Sequence, residues 1–182
     1  TSPTAASPDI YGPKVEIPKS WSAVGFGKVK AYQGSSYAGI TVYGCDKGKP
    51  HCREYVQVQL TEPLVPGQRY GYTWMLAHLQ KSVMVRNIGL WFSEHEIEEG
   101  AHDPILKNPI LSLDKFLPSD GKWYRWTGQF VAEKSSSFLI IGNFKTDEDS
   151  QVKMPFRGDL RYGYYYLDEV RLFKIPPIII PP

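Results

Sequence analysis

The sequence lacks long apolar runs and a strong excess of charge of either sign. No uninterrupted apolar run approaches the ~20 residues that a helix needs to cross a bilayer, so we expect no transmembrane segment in this chain. The formal net charge is only +2, and the lysines and arginines are scattered along the sequence. A nucleic-acid partner is therefore not expected, because such partners require a concentrated basic surface.

The sequence also lacks the patterns that carry catalysis. It has no glycine-rich phosphate loop and no Ser, His and Asp residues in a recognisable catalytic setting. No pair of carboxylates can be given opposed acid and base roles. We therefore predict no catalytic residues and no enzymatic activity, with a jelly-roll glycosidase or lyase as a minor alternative.

Cysteine is scarce, and both cysteines lie close together in "GCDKGKPHC". Six residues separate Cys45 from Cys52, and Gly48 and Pro50 among them favour a turn that closes a small disulfide ring. A disulfide indicates an oxidising, extracytoplasmic location. Two free thiols, or half of a zinc site with His51, are the alternatives, but zinc ligands are usually more closely spaced and occur in two pairs.

Short β-like runs are abundant, and the sixteen glycines and fifteen prolines separate them. Several are rich in β-branched and aromatic residues, and none has the period of an amphipathic helix. The seven runs are "YAGITVY" (37–43), "EYVQVQL" (54–60), "YGYTWMLAHL" (70–79), "NIGLWFS" (87–93), "WYRWTGQFVA" (123–132), "SFLIIGNF" (137–144) and "GYYYLDEVRLF" (163–173). Many short strands in one domain predict a β-sandwich or barrel.

The runs are flanked by segments of different character. Residues 1–36 show no sustained period and are rich in Pro, Ser and Gly, so we expect an irregular arm that packs on the domain or leads into it. The β-rich domain spans residues 37–174. Residues 175–182 contain prolines on both sides of a short apolar run, which predicts a linker or tail. We expect the chain to continue after it.

Alternation within the runs sorts side chains between a core face and an outer face. In "NIGLWFS" the core set is Ile88, Leu90 and Phe92, and Trp91 points to the other side. In "WYRWTGQFVA", Trp126 and Phe130 are expected inside. Arg125, Thr127 and Gln129 are expected outside. "SFLIIGNF" is apolar on both faces and is expected to be a central strand.

The order of these runs, with "REYVQVQLTEPLVPGQRYGYTWML" and "DGKWYRWTGQFVAEKSSSFLIIGNF" in the middle and "YYYLDEVRL" at the end, resembles a galactose-binding-like jelly-roll domain of carbohydrate-binding modules. It looks most like the version attached to OmpA-family outer-membrane proteins of gliding and type IX-secreting Gram-negative bacteria. The resemblance implies an all-β jelly-roll sandwich of two antiparallel sheets. The family's first strand, an "N-x-S-F-E"-like stretch, is not visible, so we expect it before Thr1 or from another segment or chain.

The resemblance also implies a role for Asp168, the first acid of the pair inside the last run. In sugar-binding relatives this position often ligates calcium, and a buried carboxylate needs a cation or hydrogen-bond donors. Alternation places Asp168 on one face with Tyr166, Val170 and Leu172, and places Glu169 on the other face with Arg171. The equal alternative is that Asp168 accepts hydrogen bonds from backbone or tyrosine groups.

Sugar recognition requires flat aromatic faces flanked by hydrogen-bonding side chains. Trp91, with Tyr55, Gln57 and Gln59 on the non-core faces of other strands, fits this description, and Trp74 and Trp123 are weaker candidates. The alternative for each aromatic residue is a packing role, which is the commoner fate of tryptophan.

These observations predict a non-catalytic recognition module outside the cytoplasm, at the outer membrane, in the periplasm or on the cell surface. The expected ligand is a glycan or peptidoglycan. The alternative is a structural module that binds envelope proteins in a secretion, gliding or filament assembly.

Overall fold

The computed structural model describes residues 1–44, 53–97 and 104–176. All seven predicted runs form strands, and the arm contributes a further strand and a short helix. The elements in chain order are β1 (Asp9–Tyr11), α1 (Lys19–Val24), β2 (Tyr37–Tyr43), β3 (Val56–Gln59), β4 (Arg69–His78), β5 (Met84–Val85), β6 (Ile88–Ser93), β7 (Leu111–Ser112), β8 (Tyr124–Val131), β9 (Phe138–Asn143), β10 (Val152–Lys153) and β11 (Gly163–Lys174).

Two antiparallel sheets form the body of the protein. The larger has the strand order β1-β2-β11-β4-β8, and the smaller has the order β3-β9-β6-β7. The short strands β5 and β10 pair separately. The predicted all-β jelly-roll sandwich is confirmed, and β9 is a central strand as its two apolar faces indicated. Within the described ranges, no helix has the length and apolar character needed to span a membrane.

The main core lies between the two sheets, where side chains from both inner faces meet. Ile88, Leu90 and Phe92 of β6 are buried there, as alternation predicted. Phe130 of β8 is also buried, and its ring lies 5.1 Å from that of Phe92. Trp126 is partly buried against the same core, which confirms the predicted faces of β8.

The arm covers one half of the outer face of the larger sheet. Its strand β1 pairs with β2, with Asp9 opposite Gly39, and forms one edge of the larger sheet. Beneath the arm lies a second, aromatic core in which the Tyr11 and Tyr37 rings stack at 5.0 Å and Tyr166 meets both rings edge-on. An arm that covers such a surface removes apolar area from water, which explains its order despite a sequence without periodicity.

A β-bulge in β11 explains the acidic pair in this strand. Asp168 is paired with Met75 and Arg171 with Thr73, so two residues of β11 lie opposite one residue of β4. Glu169 has the left-handed φ of 50° that one form of bulge requires. The bulge reverses the alternation, so Leu172 packs on the main core and no longer shares a face with Asp168. The predicted common face of Asp168 and Leu172 is therefore wrong.

Candidate functional site

The predicted sugar-binding residues of the smaller sheet do lie on a common outer face. Gln57 of β3 and Trp91 of β6 are both paired with Ile140 of β9, so they occupy one row across three strands. Gln59 occupies the neighbouring row beside Phe138. Alternation thus identified the correct side of the sheet for this set.

This outer face is nevertheless covered where Tyr55 and Gln57 lie, so neither side chain is accessible for the predicted sugar contact in the described structure. Tyr55 is 0% exposed, and its hydroxyl accepts a hydrogen bond from the Ile105 N–H at 3.0 Å. Gln57 is 1% exposed and exchanges hydrogen bonds with the backbone of Ile97. The chain before and after the 98–103 segment packs over the face, so these two side chains are structural in the described conformation.

Two tryptophans of the predicted site, Trp91 and Trp74, also pack against other residues of the protein. The Trp91 ring is half-buried beside Phe144, with the Lys107 ammonium 5.5 Å from its centroid. Trp74 is buried in the main core opposite Trp126. Among the predicted ligand-binding residues, Gln59 is exposed to solvent. A stacking platform for sugar therefore does not assemble around Trp91 on the described surface.

Asp168 acts as a hydrogen-bond acceptor in the structure. One carboxylate oxygen accepts the N–H groups of Tyr32 and Gln33 at 2.8 and 3.2 Å, and the other accepts the Glu169 N–H at 2.7 Å. These three N–H donors use three of the about four lone-pair sites that a carboxylate offers. No group of three or more His, Cys, Asp or Glu side chains suited to a metal occurs among residues 1–44, 53–97 and 104–176. This geometry fits the alternative role given to Asp168, which is to accept hydrogen bonds from backbone groups, and calcium ligation stays a prediction.

Beside the arm, the outer face of the larger sheet forms a different, largely polar surface, in which Met75 is buried and the exposed side chains lie on β8 and β11. Strand register places side chains of β11, β4 and β8 in three rows on one outer face. The rows are Phe173, Gly71 and Gln129; Arg171, Thr73 and Thr127; and Asp168, Met75 and Arg125. We call this surface, together with Tyr32 at its border, the open face.

Two exposed aromatic rings flank the open face. Phe173 is 50% exposed and lies over Gly71, where an added Cβ would come within 2.5 Å of the ring. Glycine at that position thus leaves room for the ring to lie on the sheet. Tyr32 is 43% exposed, and its ring packs against Trp123 at 6.5 Å. Both rings therefore have defined positions and accessible surface.

Polar side chains fill the space between the two rings. The Arg125 guanidinium donates a hydrogen bond to the Tyr32 hydroxyl at 3.1 Å. Thr127 donates its hydroxyl hydrogen to the Tyr72 carbonyl, which leaves its oxygen lone pairs toward the surface. Arg171 forms an ion pair with Glu169 of the bulge. The open face therefore presents hydroxyl, amide and guanidinium groups on a rigid sheet.

Sequence reasoning found part of the open face and missed the rest. Alternation had assigned Arg125, Thr127 and Gln129 to an outer surface, and the structure confirms this. Phe173 was missed because the bulge changes which residues of β11 face outward. Tyr32 was missed because nothing in the arm's sequence shows that it folds back to the sheet.

A pocket between α1 and the end of β4 contains the buried His78. Its ring nitrogens contact the hydroxyls of Ser119 at 3.1 Å and Ser82 at 2.9 Å. Burial lowers the pKa of His78 to about 4, so the imidazole is neutral near pH 7. His78 is 0% exposed, and none of its hydrogen-bond partners in the described residues is a carboxylate. The arrangement suits a structural histidine rather than a catalytic base.

No protein-family model matches the chain, and no curated protein matches it. Solved structures with similar folds do exist. The K1 cleaved adhesin domain of Lys-gingipain from Porphyromonas gingivalis W83 is 13% identical, with a TM-score of 0.50 over 94% of this chain and 85% of that chain.

Two further similar structures are carbohydrate-binding modules. The CBM22-1 xylan-binding domain of Xyn10C from Paenibacillus barcinonensis is 13% identical, with a TM-score of 0.44 over 94% of this chain and 87% of that chain. A CBM4 structure is 15% identical, with a TM-score of 0.43 over 92% and 94% of the two chains. At these identities the likeness concerns the fold alone.

Proposed function

We propose that this protein is a non-catalytic recognition module that binds glycans on its open face. The observation that carries the proposal is the pair of exposed rings, Tyr32 and Phe173, on either side of the hydroxyl, amide and guanidinium groups of three adjacent strands. The two rings would stack on sugar C–H surfaces, and the polar groups between them would hydrogen-bond sugar hydroxyls.

The strands and the Asp168 carboxylate hold the residues of this surface in place, which supports a role in binding. Thr73, Thr127 and Arg171 belong to hydrogen-bonded strands, so their backbone positions are fixed before a ligand arrives. The Asp168 carboxylate holds the backbone of Tyr32 and Gln33. A preorganised site loses less conformational entropy on binding than a mobile one.

We further propose an extracytoplasmic location, at the outer membrane, in the periplasm or on the cell surface. The resemblance of the motif order to OmpA-associated jelly-roll domains supports this location, as does the closely spaced pair Cys45 and Cys52. Both cysteines lie outside the described residues. In such a location peptidoglycan is a candidate ligand alongside other glycans.

A structural role in an envelope assembly is the second candidate function. Val152 of the short strand β10, and Met154 and Phe156 after it, expose apolar side chains. Phe156 is 89% exposed. Exposed apolar side chains next to a short strand are suited to contact with another protein. This surface is separate from the three rows of the open face, so the two functions can be tested with different variants.

The test is a glycan array combined with affinity electrophoresis in polysaccharide gels. We expect the wild-type protein to be retarded by at least one polysaccharide, and Phe173→Ala and Tyr32→Ala each to weaken that binding about tenfold or more. Phe156→Ala is the matched control, because it removes an exposed ring from outside the open face and should bind like wild type. Circular dichroism melts establish that each variant is folded.

Absence of wild-type binding in both assays would contradict the glycan proposal. Undiminished binding by folded Phe173→Ala and Tyr32→Ala would show that the open face is not the site. If Phe156→Ala instead abolishes association with envelope proteins in cross-linking experiments, the structural role is favoured.

A further inference from the structure

We infer that the open face selects acidic glycans, with the carboxylate of a uronic acid bound to Arg125. This inference rests on the proposed glycan-binding function and adds the class of sugar to it. The basis for it is the local charge of the open face, which the small net charge of the whole chain does not reveal.

The two arginines of the open face differ in whether a carboxylate pairs with them. Arg171 is paired with the Glu169 carboxylate of the bulge. Arg125 contacts the neutral hydroxyl of Tyr32, and within the described ranges it forms no ion pair. The Asp168 carboxylate lies in the same row, two strands away, and three backbone N–H groups occupy it. Arg125 is thus an exposed guanidinium with no carboxylate within ion-pair distance among the described residues.

The chemistry of the guanidinium favours a carboxylate as its ligand. Arginine presents five N–H donors in a planar fork that matches a carboxylate with two parallel hydrogen bonds. The contact with the Tyr32 hydroxyl uses one donor and orients the group, which leaves the other donors available. Thr127, two residues along β8, exposes a hydroxyl oxygen beside it for a neighbouring sugar hydroxyl. A neutral sugar would leave this charge unpaired.

The dimensions of the open face indicate a polymer rather than a single sugar. Arg125 and Phe173 are two strands apart and four residues apart along the strands. Strand spacing and rise give about 10 Å in one direction and about 13 Å in the other, or roughly 16 Å along the diagonal. A ligand that reaches both the guanidinium and the Phe173 ring must therefore contain several sugar units. A single uncompensated arginine between the rings suits well-spaced carboxylates better than dense sulfation.

The experiment compares acidic polysaccharides with their methyl esters, which keep the same backbone but lack the charge. The probes are polygalacturonate and alginate, each with its esterified form, in affinity electrophoresis alongside neutral xylan and β-glucan. We expect the wild-type protein to bind an acid form about tenfold more tightly than its ester, since the carboxylate forms charge-assisted hydrogen bonds. Arg125→Gln should bind both forms equally.

Arg157→Gln is the charge-matched control, because Arg157 is an exposed arginine in a turn outside the open face. It should keep the wild-type preference for the acid form. If Arg157→Gln loses the preference to the same extent as Arg125→Gln, the effect is one of net charge and the inference is overturned.

The outcomes separate this inference from the proposed function. Equal wild-type binding to acid and ester, binding to neutral polymers alone, or a preference retained by Arg125→Gln would overturn the choice of acidic glycans. In those cases glycan binding on the open face still stands if Phe173→Ala abolishes it. Binding to none of the probes or the array glycans would overturn both.

Discussion

The backbone N–H of Tyr32 donates a hydrogen bond to the Asp168 carboxylate, with 2.8 Å between nitrogen and oxygen. This bond joins the arm, which carries an exposed aromatic ring, to the bulge of the last strand. Gln33 donates to the same oxygen, so the carboxylate fixes the end of the arm at the border of the open face. The acidic residue inside an otherwise apolar and aromatic strand is explained by this connection.

Replacing Asp168 with asparagine should lower the free energy of unfolding by about 1–3 kcal/mol. Three N–H groups would lose a charged acceptor, and the asparagine NH₂ would face at least one of them. Chemical denaturation measures this change. Asp159→Asn is the control, because Asp159 forms an exposed ion pair with Lys81 that should contribute little. Equal stability of Asp168→Asn and wild type would contradict the anchoring role.

The same variant tests the calcium hypothesis for Asp168. If calcium binds there, chelator should lower the melting temperature of the wild-type protein, because a ligand bound to the native state stabilises it. Asp168→Asn should then have no calcium dependence. From the hydrogen bonds we expect coincident wild-type melts in calcium and in chelator, with Asp168→Asn melting lower in both. A calcium-dependent wild-type melt would favour the cation instead.

The strands were predictable from the sequence because alternation is local information. In β6 and β8, the face on which a residue such as Ile88 or Phe130 lies can be predicted from the polarity of its immediate neighbours in the sequence. The bulge at Glu169 was not predictable in this way, because the sequence pattern of β11 continues through it. A change of one residue in register reverses the faces that follow, which is why Phe173 was missed and Leu172 was misplaced.

The covering of the smaller sheet was unpredictable for a related reason. Alternation shows that Tyr55 and Gln57 lie away from the main core, but it does not show whether another segment packs over them. The cover here comes from Thr1 and from the chain around residues 97 and 105, which are distant in sequence. Irregular segments of this kind carry no periodic signal, so their packing positions cannot be predicted from local patterns.

Gln57 and Gln59 provide a direct test of this cover. The Gln57 side chain is buried and hydrogen-bonds Thr1 and both backbone groups of Ile97. Gln57→Ala should cost about 2–3 kcal/mol, because it leaves buried backbone groups unsatisfied. Gln59→Ala, at an exposed position two residues away, should change stability by less than about 0.5 kcal/mol. Thermal melts that rank the two variants in the opposite order would contradict the described packing.

The proposed disulfide between Cys45 and Cys52 is a prediction from the sequence, and both residues lie outside the described ranges. Closing so short a ring should stabilise the protein by roughly 2 kcal/mol through the lower entropy of the unfolded chain. Mass spectrometry after alkylation, without and with prior reduction, checks the pairing in protein secreted into an oxidising compartment. Two cysteines that alkylate fully without reductant would rule the disulfide out.

Glu54 should make stability depend on pH. Its carboxylate accepts the Thr41 N–H at 2.5 Å, and burial, with Asp9 nearby, raises its pKa to about 8 from an ordinary value of 4.5. In the unfolded chain the carboxyl ionises at the lower value. Between about pH 4.5 and 8 the unfolded state therefore binds fewer protons than the folded state, and stability falls as pH rises. Glu54→Gln does not titrate and can keep the hydrogen bond.

We therefore expect Glu54→Gln to gain stability relative to wild type as pH rises from about 5 to 8, and to differ least near pH 4. Urea unfolding across this range measures the difference. His78 has the opposite effect on the pH dependence of stability. Because its pKa is lowered to about 4, the protein loses stability as the pH drops below 6.5. Wild type and Glu54→Gln both contain His78, so this effect cancels when their free energies of unfolding are compared. Glu16→Gln, which replaces an exposed carboxylate, is the control, and its free energy of unfolding should change with pH as that of wild type does. A constant difference between Glu54→Gln and wild type from pH 4 to 8 would show that the folded protein does not hold the Glu54 proton more tightly than the unfolded chain.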